Sequence, residues 1–599
     1  MKTALLAVLT LLHFVPGLVS AQDTLDVVYP REGQIVASYD SAFIFGSVPL
    51  RDAKIFVNDL PVQLNVDGAF LAMVPVDSGE FRFVCRAMTE HDTLETIRTV
   101  FVPPYLETTS PDTFAIDSTQ TFPQEDLVLS AGDFLEVRFK GTPGYIGSFT
   151  VAGLAESIPM AESPPRRDFY LGDFIFGAGD DPLTPDVAGI YTGVYKIPEG
   201  IQLDSASIHF QLSGGNGTHT VIAARGRLTV HDHPVPQIAE ITQEITVART
   251  GPGLGYQLYL PRGVKLRLTG QNGRYFRARL NDAEQVWVPK ESVALLPAGT
   301  PIPTSSVRLV RSENFEKKTA VTIYLRERLP FKIEQNNQPS RLIVSIYGAT
   351  ANTDWIRYDF EDPFIREMKW AQAAKGEYQL QIDLDAQQQW GYNPYFDGTN
   401  LVIDIKKPPK KFEFKELLIC VDPGHGPDDG AIGPTRLKEK DANLELAYVL
   451  KEKLEDKGAR VFLTRKDRHG ASLASRGKLA AFMEADLLVS VHHNAIPDDV
   501  NPFISRGSST YYFHPQSLQL AVAIQKRLLK GLELNNFGLF YDNLAVCRPP
   551  QMPAVLIEAA FIMHPEEERL IKSPRYRKTA AEAIVRGVED FLKQAKERR

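Results

Sequence analysis

Residues Glu416–Gly433 read ELLICVDPGHGPDDGAIG, and this stretch decides the fold of the C-terminal third of the chain. An apolar run from Leu417 to Val421 stops at Asp422 and gives way to Pro423, Gly424, His425 and Gly426. A short apolar run ended by Pro and Gly predicts a buried strand entering a tight turn. The turn leaves His425 at the carboxyl end of the strand, where open α/β sheets gather their ligand-binding side chains. Downstream, LKEKDANLELAYVLKEKLEDKG places Leu444, Ala447, Leu450 and Leu454 at helical spacing, with Glu439 in the loop approaching the helix start. A second helix, from about Leu473 to Glu484, leads into the strand ADLLVSVHHNA, which carries His492 at its end. A last strand, MPAVLIEAAF, brings Glu558. Apolar strands alternating with amphipathic helices are the α/β pattern.

Two imidazoles and one carboxylate are the donor types of a catalytic zinc site, where a fourth tetrahedral position stays open for water. Cys420 sits inside the apolar run and is read as a buried thiol rather than a competing ligand. Glu558 stands among apolar residues, and burial raises a carboxyl pKa toward the range useful for proton transfer at neutral pH. Taken singly, each residue also has an ordinary structural reading, since a histidine after a strand is commonly just a hydrogen-bonding group.

Taken in order, DPGHG, LKEKD, SVHHNA and PAVLIEAAF, together with VFLTRKD, SLASRGKLA, TYYF and AVCRPPQMPAV, resemble the zinc-dependent N-acetylmuramoyl-L-alanine amidases over residues 417–599. The resemblance implies that His425, Glu439 and His492 hold zinc, that Glu558 is the catalytic carboxylate, and that Asn494 and Arg548 bind substrate. It implies peptidoglycan as the substrate, cut between N-acetylmuramic acid and L-alanine, with an activating or division protein as a further candidate partner. His493 occupies a position that is usually small and is read as a pocket-wall residue. The chain departs from the family at Pro427, Ala481 or Phe482, Phe537, Ala559, Ala560 and His564, none of them a proposed ligand, so substrate fit is affected more than metal binding. The short segment between Asn494 and the strand SSTYYF leaves no room for the long regulatory insertion of some relatives, and His469 and His514 are read as surface residues.

Upstream the pattern is β-rich, with short alternating runs punctuated by Gly, Pro, Asn and Asp. Residues 22–105, with SAFIFGSVP, IFVNDLPV and DGAFLAMVP, resemble an immunoglobulin-like sandwich. Residues 106–242 form a β-rich domain of open role, in which His231 and His233 lack a further ligand at a diagnostic spacing. Residues 243–300, from ITVARTGPGLGY to QVWVPKESV, resemble an SH3-like barrel, and 301–408 the AMIN-type β-sandwich that precedes many exported amidases. Residues 409–416 are a charged, proline-stiffened and solvated linker into the amidase domain. The expected fold class is therefore multidomain, with β-rich modules followed by an α/β domain whose mixed sheet is flanked by helices. Trp287, Trp355, Trp370 and Trp390 all fall in the last two β modules and are read mainly as strand core, with sugar stacking as the sharper alternative.

The chain opens with MKTALLAVLTLLHFVPGLVSAQD, where Lys2, an apolar stretch and small residues Val19 and Ala21 predict a cleaved secretion signal over residues 1–21. The expected location is therefore the periplasm or cell envelope, with no stable membrane span after cleavage. A formal charge of -8 argues against nucleic acid, which needs clustered Lys and Arg. Cys85, Cys420 and Cys547 are too few for a disulfide framework. Two rival functions remain at this stage: another exported zinc peptidase or deacetylase, which the lack of HExxH weakens, and a non-catalytic wall-binding scaffold or regulator, which would be expected to have lost a ligand or the acid.

Overall fold

A computed structural model describes residues 24–38, 40–49, 52–104, 107–164, 187–215, 217–231, 237–498 and 500–597. The expected leader, 1–21, lies outside the described residues, as does His233. The chain divides into two compact units, one of residues 1–103 with 433–436 and one of 104–432 with 437–599. No helix among the described residues is long and apolar enough to cross a membrane.

The first unit is a β-sandwich. A three-stranded sheet of Asp26–Tyr29, Ser41–Ser47 and Ala69–Pro75 and a four-stranded sheet of Lys54–Val57, Leu60–Val62, Gly79–Met88 and Thr93–Val102 enclose a core that includes Ile44, Phe70, Phe83 and Cys85. All three cysteines are free and buried, and burial pushes the Cys85 thiol up to about 12.

The second unit opens with a seven-stranded sheet packed around Phe139, Phe149, Tyr191 and Phe210. The next sheet crosses the boundary expected at 242: Gln237–Ile241 pairs with Lys265–Asn272 and Val293–Leu295, and the same ten-stranded sheet takes in Leu127–Ser130 and Leu228–His231 from upstream. Residues 305–406 then form a sandwich of five and four strands closed on Val310, Leu342, Leu380 and Ile403. Two of its tryptophans correct the expectation of core packing, because Trp355 is 73% and Trp370 44% exposed, whereas Trp390 is buried.

The α/β domain runs β1 (Leu418–Pro423), α1 (Glu439–Asp456), β2 (Arg460–Leu463), α2 (Leu473–Phe482), β3 (Leu487–Asn494), β4 (Ser508–Tyr512), α3 (Leu518–Leu532), β5 (Asn536–Tyr541), β6 (Ala554–Phe561), α4 (Pro565–Ile571) and α5 (Pro574–Glu597). The sheet order is β2-β1-β3-β6-β4-β5, parallel throughout except where β4 runs against β6. Strands buried on both faces read as continuous apolar runs, which explains why ICV, LLVSV and AVLIEAAF show no alternation. Leu446, Leu450 and Leu454 of α1, Leu520, Ile524 and Leu528 of α3, and Ile584, Val588 and Phe591 of α5 close over one face of the sheet.

The preceding sandwich is not loosely tethered to this domain. Trp390 joins the core of the α/β domain, with its ring 5.6 Å from Phe591 and 6.1 Å from Phe412. Gly391 has φ +122°, and a Cβ there would lie 2.2 Å from the Gln551 carbonyl oxygen, so only glycine lets the two backbones approach. Buried Gln335, Gln389 and Gln516 hydrogen-bond across the same junction. The solvated linker of the sequence reading is thus corrected: Phe414 is buried against the domain, Phe412 packs on its core, and just upstream Lys406 pairs with Asp486 at 2.7 Å. Apolar anchors between the lysines turn a charged stretch into a docked one.

Candidate metal centre and active site

The turn after β1 is built around two backbone positions that sequence alone marks only as glycine and histidine. A Cβ on Gly424 would fall 2.1 Å from the His492 ring, so the glycine lets β1 and β3 bring their imidazoles together. His425 itself has φ +61°, a left-handed conformation uncommon outside glycine that aims its ring back over the sheet end. Two arginines lock this turn. Arg476 of α2 donates to Asp422 Oδ1 and the Pro423 carbonyl, each at 2.7 Å, and also to the carbonyls of His425 and Ala471. Arg465 donates to the carbonyls of Pro423 and Gly424, each at 2.9 Å. Asp422 is fully buried and also accepts from Thr464 and Ser490. VFLTRKD and SLASRGKLA supply these two arginines, motifs whose pattern does not reveal the carbonyls they hold.

Glu439 is the first residue of α1 rather than part of the preceding loop. Its carboxylate meets both histidines: Oε2 lies 2.9 Å from His425 Nε2 and Oε1 2.9 Å from His492 Nδ1. The ligand atoms of His425, Glu439 and His492 all fall within 4.8 Å of one another, a set that could hold a metal ion. Two of the donors are oriented from behind. Asp428 Oδ1 lies 2.5 Å from His425 Nδ1, which turns Nε2 inward, and Glu439 accepts from the Ala431 amide at 2.9 Å and from Asn443 Nδ2 at 3.1 Å. Burial alone would raise the Glu439 pKa, but hydrogen bonds from the two histidines and their charge hold it well below the ordinary carboxylate value. A carboxylate kept anionic between two imidazoles, with an aligned histidine–carboxylate pair behind one of them, fits a zinc ion in donor type and number.

Glu558 lies on β6 in register with His492 on β3. It is 6% exposed, and its Oε2 is buried with no hydrogen-bond partner. Burial, followed by the nearby Glu439 charge, pushes its pKa well above the usual range. Asn494, the last residue of β3, has a buried Nδ2 that also lacks a partner. Both residues line a cleft of about 420 Å³ with His425, Glu439 and His492, closed on one side by Leu544, Ala545 and Val546. From the segment between Asn494 and Ser508, Ala495 alone among the described residues lines it.

Two sequence readings change in this setting, and the pocket-wall place expected for His493 holds. Arg548 is absent from the cleft lining; its guanidinium donates to Asn543 Oδ1 and lies 5.4 Å from the rings of both Tyr256 and Tyr259. His514 is half-buried rather than a surface residue, with Nε2 2.7 Å from the Arg548 carbonyl oxygen, and burial lowers its pKa to about 4. His493 borders the cleft but is tied from behind, its Nδ1 2.7 Å from Asn443 Oδ1. His469 is exposed, as expected.

Residues 419–590 match the family model described as N-acetylmuramoyl-L-alanine amidase. A protein of Staphylococcus saprophyticus named probable cell wall amidase LytH is 32% identical over 199 residues, which are 33% of this chain and 65% of that protein. The namesake from Staphylococcus aureus is 33% identical over 197 residues, 32% of this chain and 65% of the relative. The chain thus spans just under two thirds of the length of these relatives. Among solved structures, the N-acetylmuramoyl-L-alanine amidase of Clostridium difficile 630 is 35% identical, covering 30% of this chain and 97% of that one, with a TM-score of 0.28. The segment 419–590, which carries the strand ends and the helix start of the site, is thus similar to the N-acetylmuramoyl-L-alanine amidases.

Proposed function

We propose that this protein hydrolyses the amide bond between N-acetylmuramic acid and L-alanine in peptidoglycan. The observation that carries the reading is the convergence of His425, Glu439 and His492 beside a buried Glu558 oxygen without a partner, inside a segment that matches the amidase family model. The three residues would hold zinc, which when bound supplies Lewis acidity to the scissile carbonyl and to the attacking water. Glu558 accepts a proton from that water at Oε2 and returns it to the departing L-alanine nitrogen as the C–N bond breaks. Its raised pKa suits both halves of this task, because a carboxyl near the working pH can take a proton and give it back. Asn494, which lines the cleft, would donate from Nδ2 to a substrate carbonyl. Arg548, expected at the substrate, shapes the cleft wall from behind it.

The remaining modules fit a positioning role on an insoluble polymer, where linked weak sites raise the effective concentration of the catalytic domain. On this reading residues 1–21 direct export to the cell envelope, 22–105 form an immunoglobulin-like domain, 237–300 an SH3-like barrel and 301–408 an AMIN-like sandwich. The test is digestion of purified peptidoglycan by the mature protein and by Glu558→Gln, with zinc content measured on both. The expected result is release of new L-alanine amino groups by the wild type and almost none by a variant that still carries zinc. Full turnover by Glu558→Gln would overturn the role given to this residue.

A further inference from the structure

Leu544, Ala545 and Val546 of the cleft lining belong to a loop, residues 542–549, between β5 and β6. Leu544, Val546 and Cys547 pack against Tyr511 and Leu556, and the Cys547 and Arg548 amides donate to the Leu544 carbonyl at 2.9 and 3.0 Å. Inside the α/β domain the loop is otherwise held at its ends. At the start, Asp542 donates to the Tyr512 carbonyl at 2.8 Å; near the end, the Arg548 carbonyl meets His514. The Arg548 side chain bonds to Asn543, with Nε 2.9 Å from Asn543 Oδ1 and Nη2 3.0 Å from the Asn543 carbonyl.

The remaining contacts come from the barrel-like module. Tyr259 Oη donates to Asn543 Oδ1 at 2.7 Å, across 284 residues of sequence. The Arg548 guanidinium lies 5.4 Å from the ring centres of Tyr259 and Tyr256, within the range of cation–π attraction. Strand alternation would send residues 256 and 259 to opposite faces. The strand Tyr256–Pro261 escapes this through a register shift: Ala248 pairs with Leu258, whereas Arg249 pairs with Tyr256. A bulge of this kind re-aims a side chain, and here both rings reach one guanidinium. The shift lies beside the GPGLGY turn, which the sequence marks only as a loop.

We propose that Tyr256 and Tyr259 are positioning residues for the amidase reaction: by clamping Asn543 and Arg548 from the barrel they fix the Leu544–Val546 wall against which the substrate's apolar groups rest. The wall presents apolar side chains, and on the amidase reading the groups beside the scissile amide are the lactyl and alanyl methyls. The module upstream is therefore a component of substrate binding in the catalytic cleft and not only a tether. This inference rests on the amidase reading for its substrate and on geometry alone for the clamp.

The experiment uses the full mature chain carrying Tyr259→Phe, which removes one hydroxyl and keeps the ring, alongside Asn543→Ala and the double variant. Hydrogen exchange of the Cys547 and Arg548 amides, zinc affinity, and KM and kcat on soluble peptidoglycan fragments are read for each. Loss of one such hydrogen bond should speed exchange at these amides by about 3–10-fold and raise KM by a similar factor, with zinc affinity unchanged. The double variant should add little to Asn543→Ala, which already removes the Tyr259 bond together with the Arg548 one. Unchanged exchange at 542–549 in Tyr259→Phe would overturn the clamp, and so would faster exchange spread evenly over the barrel and the α/β domain. A KM equal to that of the wild type despite a loosened loop would overturn the wall's part in substrate binding. Should the wild type cleave no amide bond, the amidase reading fails, and the exchange measurement still decides the clamp.

Discussion

The two sides of the cleft are built by different means. On the side of His425, Glu439 and His492, every supporting contact comes from within the α/β domain: Asp428 behind His425, Asn443 and the Ala431 amide behind Glu439, and Arg465 and Arg476 behind the turn. On the side of Leu544–Val546, packing on Tyr511 and Leu556 is joined by supports from elsewhere in the chain, with Tyr256 and Tyr259 from one module and the Gly391–Gln551 contact from another. A metal site tolerates little displacement of its donors, so close local support suits it. A substrate wall must only exclude water and match shape, and it can be held by neighbours. The comparison teaches that zinc binding and substrate binding should respond to different parts of the protein.

The sharpest separation should come from Glu558→Gln, which is expected to lose about 10²–10⁴-fold in turnover while zinc content stays at the wild-type level. Trp390→Ala tests the other extreme. It lies outside the catalytic segment, yet it should lower the stability of the α/β domain by about 3–5 kcal/mol, as a buried aromatic deletion does, seen as a lower denaturant midpoint. An unchanged midpoint would mean that the sandwich and the domain are energetically separate. Asp428→Ala should weaken zinc by about 10–100-fold in a chelator competition, because it frees the back of the His425 ring. KM should follow Tyr259 and not Asp428; the reverse pattern would break the division between the two walls.

The smallest effect is in the pH profile. Glu558 must be deprotonated to accept the water's proton, and burial with the Glu439 charge raises its pKa. Activity should therefore fall on acidification at a pH clearly above 4.5, the ordinary value for a glutamate, and the Glu558→Gln residual rate should lack that limb. A limb at the ordinary value would place the proton acceptor elsewhere.

Legibility in the sequence followed the same division. The metal side could be read because each donor sits at the end of an apolar strand or the start of a helix, positions that short motifs mark well. Glu439 was expected one step early, in the loop, because nothing in LKEKD separates a helix start from the residue before it. Arg465 and Arg476 stood in recognised motifs, but their role depends on carbonyls of a turn 40 or more residues away, which no local pattern encodes. Arg548 stood in the motif AVCRPPQMPAV and was read as a substrate contact from the family resemblance. Its actual partners, Tyr256 and Tyr259, lie in another module, and the register shift that turns both rings toward it cannot be read from YQLYLP. Trp390 was read as core and is buried, but in the core of the next domain, a destination that QQQWGY does not mark.

The measurement that tests the central claim most directly is mass mapping of the products when purified peptidoglycan is digested by the mature protein, first with a chelator and then after zinc is restored. The account predicts intact stem peptides with a free L-alanine amine, absent under the chelator and recovered with zinc. Products cut at any other bond, or amide cleavage that persists without metal, would contradict it.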